Sequence, residues 1–150
     1  MKLIGTLLVT LLPVVAGAAE MKSTYGQRIV AAVLMGEARG EGEIGMTAVV
    51  EVIRNRASEA NRSPLAIVLT KGEFSCLKDT TPEALYQRLC RMKTFPMALR
   101  LAKTCYNTPE LLPNVTQGAT FFHQMQSTPP WLADVRPVTT IGNHRFYVQK

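Results

Sequence analysis

Glu37 is the residue whose type and position could carry chemistry. It follows Val33 by four residues and Val30 by seven, which places the three on one face of a helix. A carboxylate on an apolar face loses hydration of its charged form, and this favours the proton-bearing state. A carboxyl that holds its proton near neutral pH is what a glycosidase general acid requires. Glycoside hydrolysis usually takes a second carboxylate at a set separation. Glu41, Glu43, Glu51, Glu73, Asp79 and Asp134 are all available, and spacing does not choose among them. Glu41 is nearest, but Gly40 leaves its direction open. It reads equally as an exposed acid at the start of the next helix, favoured there by the helix dipole.

Other side chains suit the binding of a sugar. His123 ends the Phe121-Phe122 run and His144 sits beside Asn143. Each could bind sugar hydroxyls or a phosphate, although a lone histidine is more often a hydrogen-bonded structural residue. Trp131, Phe74 and Tyr147 offer ring faces to stack on sugars, with core packing the alternative for Phe74 and Tyr147. Ser75-Cys76 has no neighbouring base, and local sequence gives no support to a nucleophile built from Cys76 with His123 or His144. The chain holds no Gly-rich phosphate loop and no Gly-x-Ser-x-Gly. Cys76, Cys90 and Cys105 lack zinc-site spacing. In an oxidising compartment two of them could pair, in any of three ways; otherwise they are small buried hydrophobes.

The elements that must position these residues are mostly helical. Helical spacing of Ile29, Val30, Val33 and Leu34 predicts a helix over 24–38, broken at Gly40 and Gly42. A second, with Met46, Val49, Val50, Val52 and Ile53 on a broad apolar side, spans about 44–58. Ser63-Pro64 opens a short helix ending near Lys71-Gly72. Thr80 and Glu83 have the spacing of a capping box for a helix to about Met92, and Phe95-Pro96 opens another to about Cys105. Pro109, Pro113 and Gly118 then punctuate a loop. Residues 119–123 are aromatic and strand-like, and Pro129-Pro130-Trp131 forms a rigid corner. Residues 138–148 read as two strands about Gly142-Asn143. Helices first and a small β region after make an α+β fold.

The first residues read as an export signal. Lys2 precedes an uncharged apolar stretch from Leu3 to Val15, and Ala16-Gly17-Ala18-Ala19 suits a signal peptidase. The stretch falls short of the roughly 20 residues a membrane span needs. Residues 1–19 are therefore expected to be a leader, with an uncleaved anchor and transient membrane association as the alternative. Residues 20–150 then form one domain. The 150 residues are 47% hydrophobic and 19% charged, with a formal charge of +6. That balance argues against disorder and against a multi-span membrane protein. A positive field favours anionic polymers, but no basic block with interleaved aromatics points to nucleic acid.

The ordered motifs carry a resemblance. Met35-Gly36-Glu37-Ala38-Arg39-Gly40-Glu41-Gly42-Glu43-Ile44-Gly45-Met46 resembles the signature of the SleB/CwlJ-type cell wall hydrolases. Val52-Ile53-Arg54-Asn55-Arg56, Glu73-Phe74-Ser75-Cys76, Gly118-Ala119-Thr120-Phe121-Phe122-His123, Pro129-Pro130-Trp131 and Ile141-Gly142-Asn143-His144-Arg145-Phe146-Tyr147 follow in the family's order. The resemblance implies a lysozyme-like helical core with a small β-hairpin region. It implies action on peptidoglycan glycan strands in the cell envelope, without a cofactor, and Glu37 as acid/base. It also implies that Glu41, Phe74, Ser75, His123, Trp131, His144 and Tyr147 line or shape the substrate cleft. In lytic members one such glutamate suffices, because the muramic 6-hydroxyl closes a 1,6-anhydro ring and no water enters. A hydrolytic muramidase or glucosaminidase with a second carboxylate is the nearest variant, and a non-catalytic wall-binding module is the more distant one.

Overall fold

The structure, a computed structural model, describes residues 23–150. The expected leader at 1–19 lies outside the described residues. Five helices come first: α1 (Tyr25–Ala38), α2 (Gly42–Ala60), α3 (Pro64–Val68), α4 (Pro82–Leu89) and α5 (Phe95–Asn107). Three strands follow: β1 (Phe121–Gln124), β2 (Val135–Ile141) and β3 (His144–Gln149). They form one antiparallel sheet in the order β1-β3-β2. Among the described residues no helix is long and apolar enough to cross a membrane.

Helix α1 begins at a reciprocal cap. The Thr24 hydroxyl accepts from the Gln27 amide, and the Gln27 side chain accepts from the Thr24 amide. From Ile29 to Met35 every residue of α1 is buried, because α2, α4 and α5 surround it. A helix that is apolar all round is a core helix, and this one brings its last turn, with Glu37, to the edge of that core. Helix α2 lies between two cores. Met46, Val49, Val50 and Ile53 join the helical one, while Ala48 and Val52 pack with Ala119 and Phe146 of the sheet side.

Several boundaries differ from the sequence expectation. Helix α2 starts at Gly42, not Ile44, because Arg39–Glu41 form a single 3₁₀ turn and Gly42, at φ +69°, redirects the chain. Helix α3 stops at Val68 and α4 at Leu89. Strand β2 begins at Val135 rather than 138, and a bulge between Pro137 and Thr139 breaks its register. Pro137 is tolerated there because β2 is an edge strand. Pro130–Asp134 fold into a 3₁₀ turn at the proline corner.

The cap of α4 is also corrected. Thr81, not Thr80, is the N-cap; its hydroxyl accepts from the Ala84 amide at 3.2 Å, with Pro82 in the first turn. Glu83 instead accepts from the Tyr25 hydroxyl, which ties α4 to α1. Thr81→Ala is expected to lower stability by about 1 kcal/mol, and Thr80→Ala by less than about 0.5 kcal/mol. Chemical denaturation of the pair checks this, and equal losses would refute the assignment.

Candidate functional site

The last turn of α1, the segment 68–80 and the sheet enclose a cleft of about 830 Å³. Glu37 lies on its wall, half-buried. Gly36 lets the neighbouring chain approach closely. A Cβ there would sit 2.6 Å from Cys76 Cβ and 2.9 Å from its sulfur. The 3₁₀ turn Ser75–Leu77 therefore lies directly against α1. Its Cys76 amide donates to Glu37 Oε1 at 2.9 Å, and the Ser75 hydroxyl donates to the same carboxylate at 3.2 Å. The carboxylate is aimed by the backbone of another segment and still borders open space.

The other carboxylates separate clearly. Glu73 lines the cleft but is paired with Arg56 at 2.6 Å. Arg56 is itself anchored, its Nε donating to the Thr120 carbonyl at 2.6 Å. Burial pulls the Arg56 guanidinium below its ordinary pKa, and the nearby Glu73 charge works against that shift. Glu43 pairs with Arg100 on the surface. Glu51 is fully buried and accepts from the amides of Val115 and Thr116 and from the Thr116 hydroxyl. Asp79 and Asp134 are exposed and do not line the cleft.

The reading of Glu41 as an exposed acid at a helix start is corrected. Its side chain is 12% exposed and reaches across to the β2–β3 turn. There it accepts from the Asn143 amide at 2.8 Å and from His144 Nδ1 at 2.9 Å. Two glycines make room for it. A Cβ on Gly45 would lie 2.4 Å from Glu41 Cβ, and one on Gly142 would lie 2.7 Å from its carboxyl carbon. Glu41 itself does not line the cleft, but His144 does.

The remaining candidates form an aromatic wall. Phe74 is buried and packs on Phe122, with one side bordering the cleft. His123 Nε2 is 2.7 Å from the Tyr147 hydroxyl, and its Nδ1 is 2.7 Å from the Gln124 carbonyl. Trp131 meets the His123 and Tyr147 rings edge-on, at centroid distances of 5.8 and 5.7 Å. Trp131 and His123 line the cleft, whereas Tyr147 is buried behind them. Lys71, Lys78, Thr70, Gln124 and Ser127 also line it. Gln124 ends β1 and the other four are loop residues; none belongs to a motif, and no sequence signal singled them out.

Neither Cys76 nor Cys105 is set up as a nucleophile. All three are free. Burial first, and then the Glu37 charge, push the Cys76 thiol far up, and burial raises Cys105 to about 12. The reactive thiolate is disfavoured at both. Among the described residues no three His, Cys, Asp or Glu side chains converge as a metal site.

Comparisons with known proteins agree with this layout. The fold is similar to the catalytic domain of the germination-specific lytic transglycosylase SleB from Bacillus anthracis. The TM-score is 0.63 at 20% identity, covering 86% of this chain and 98% of that one. At that identity the likeness is one of fold. No curated protein matches the chain. Residues 40–147 match the cell wall hydrolase family, from just after Glu37 through the end of the aromatic wall. That match takes in the Glu41 turn, the Ser75 segment, β1, β2 and most of β3, well over half of the chain, so the protein belongs to the cell wall hydrolase family.

Proposed function

We propose that this protein cleaves peptidoglycan glycan strands between muramic acid and glucosamine by a lytic reaction with Glu37 as acid/base. The observation that carries the proposal is the isolation of Glu37. It is held from one side by Cys76 and Ser75, while the other cleft carboxylate, Glu73, is consumed by Arg56. A one-carboxylate mechanism suits such a site. Glu37 gives its proton to the glycosidic oxygen as the C1–O4 bond breaks. The muramic 6-hydroxyl oxygen then bonds to C1 and returns a proton to Glu37. The products are a glucosamine 4-hydroxyl and a 1,6-anhydro ring, and the glutamic acid is regenerated. The family's cell-wall substrate supports work in the envelope, and residues 20–150 are the catalytic domain in this reading. Trp131 supplies a ring face for the sugars, with the buried Phe74 backing the cleft, and Lys71 and Lys78 a positive rim for stem-peptide carboxylates.

Mass spectrometry of soluble products from isolated sacculi tests the proposal. Anhydro-muropeptides are expected. Reducing ends would instead assign hydrolysis, with Glu73 released from Arg56 as second carboxylate. Binding to sacculi without release would refute the enzyme reading.

The close approach at Gly36 gives a further expectation. Alanine gains about 1 kcal/mol in helix propensity, but a Cβ clashing with Cys76 costs about 1–3 kcal/mol. Gly36→Ala should therefore lose about 1 kcal/mol of stability. Product release should fall much further, about tenfold or more, because the Ser75–Leu77 turn that orients Glu37 is pushed away. Thermal melts alongside initial rates check the split. An unchanged rate would mean that the turn does not aim Glu37.

A further inference from the structure

His144 has one nitrogen committed and one open. Its Nδ1 lies 2.9 Å from both Glu41 oxygens. A carboxylate only accepts, so Nδ1 carries the hydrogen and Nε2 of the neutral ring keeps its lone pair. The side chain is 3% exposed, yet the ring lines the cleft that holds Glu37. Nε2 has no hydrogen-bond partner among the described residues. The sealed side-chain polar atom without a partner among those residues is Arg54 Nε, not this one. Nε2 therefore keeps a small access to solvent, on a ring that lines the cleft. Phe122 and Phe146 flank the imidazole at centroid distances of 5.4 and 6.4 Å, an apolar frame in which a hydrogen bond gains strength. His123 offers no such atom, since both its nitrogens are engaged.

The pair is set before any ligand arrives. Gly45 and Gly142 confine Glu41 from two sides, and the Asn143 amide fixes Oε1. We propose that His144 Nε2 is a substrate-contacting hydrogen-bond acceptor for a hydroxyl or amide N–H of the amino sugar lodged beside Glu37, with Glu41 as the positioning residue that imposes its tautomer. This rests on the glycan-cleavage reading above. A sugar lacking that donor would leave a desolvated acceptor unpaired, which is how such a site discriminates.

The test uses imidazole nitrogen resonances of full-length protein labelled with ¹⁵N-histidine, with a glucosamine–muramic tetrasaccharide from sacculi as probe. Glu37→Gln blocks turnover during the titration. The free protein should show His144 protonated at Nδ1 and bare at Nε2, and the probe should move the Nε2 resonance. In Glu41→Gln the amide carbonyl stays on Asn143 and the new NH₂ replaces one of the two acceptors at Nδ1, so the share of ring protonated at Nε2 should rise. His144→Asn keeps a donor near the Nδ1 position but removes the Nε2 acceptor. Its kcat/KM on sacculi should fall about tenfold or more, with melting unchanged. If the probe binds and leaves Nε2 unmoved, or if folded His144→Asn keeps full activity, the inference fails while glycan cleavage stands. If wild-type protein releases nothing from sacculi, the glycan-cleavage reading fails and takes the inference with it. The resonance experiment decides the point even if His144→Asn does not fold.

Discussion

Glu37→Gln should abolish release of muropeptides while leaving the fold intact. The substitution keeps the length of the side chain and a carbonyl that accepts the Cys76 amide, so the Ser75–Leu77 turn stays docked. What disappears is a proton to give and a base to take it back. General acid–base groups contribute about 10²–10⁴-fold. In the lytic scheme Glu37 serves both half-steps, which puts the loss toward about 10⁴-fold, or about 5 kcal/mol of barrier. Melting temperature and affinity for sacculi should stay near the wild-type values, so the loss falls on kcat rather than KM. Release rates at matched enzyme concentration, with pelleting to measure binding, test this. A variant within tenfold of wild type would remove Glu37 from the chemistry.

Some of this site was legible from the sequence and some was not, for a physical reason. Local periodicity placed Glu37 on the apolar face of α1, because i, i+4 and i+7 neighbours are fixed by helix geometry alone. The structure shows Val30 and Val33 fully buried on that face. The strand character of Phe121–His123 and the turn at Gly142 were equally local and equally visible. Glu41 was not. Its partners, Asn143 and His144, lie more than one hundred residues away in sequence, and a 3₁₀ turn followed by Gly42 at positive φ decides where it points. Glu73 likewise resembled a free acid until Arg56 was found against it. Thr80 and Thr81 differ by a single register step, and spacing alone did not separate them. The apolar frame is thus written in short-range pattern, while the polar pairs that orient the cleft are tertiary and carry no period.

Glu51 is the clearest case of such a pair, and it supports the second large expectation. It sits on α2, fully buried, between the helical core and the sheet core. Its two oxygens collect the Val115 amide at 3.1 Å, the Thr116 amide at 2.9 Å and the Thr116 hydroxyl at 2.7 Å. These donors belong to the loop that delivers Ala119 and Thr120 to the start of β1, and Thr120 in turn accepts from Arg56. Glu51→Ala would leave three donors unpaired, the two of Thr116 buried and that of Val115 partly so, as well as a cavity. Each unpaired donor costs about 1–3 kcal/mol, part of which water entering the cavity would recover. A net loss of about 3–5 kcal/mol is expected, a large share of the 5–15 kcal/mol that holds a typical domain. Glu51→Gln should cost less, about 1–2 kcal/mol, because one amide oxygen still accepts while the NH₂ faces a donor. Hydrogen exchange should show where the loss arises, with the Val115 and Thr116 amides losing protection before those of α1. Glu51→Ala melting like wild type would mean that the loop holds its own shape. Glu51 would then be free to be something other than the clasp between the two cores.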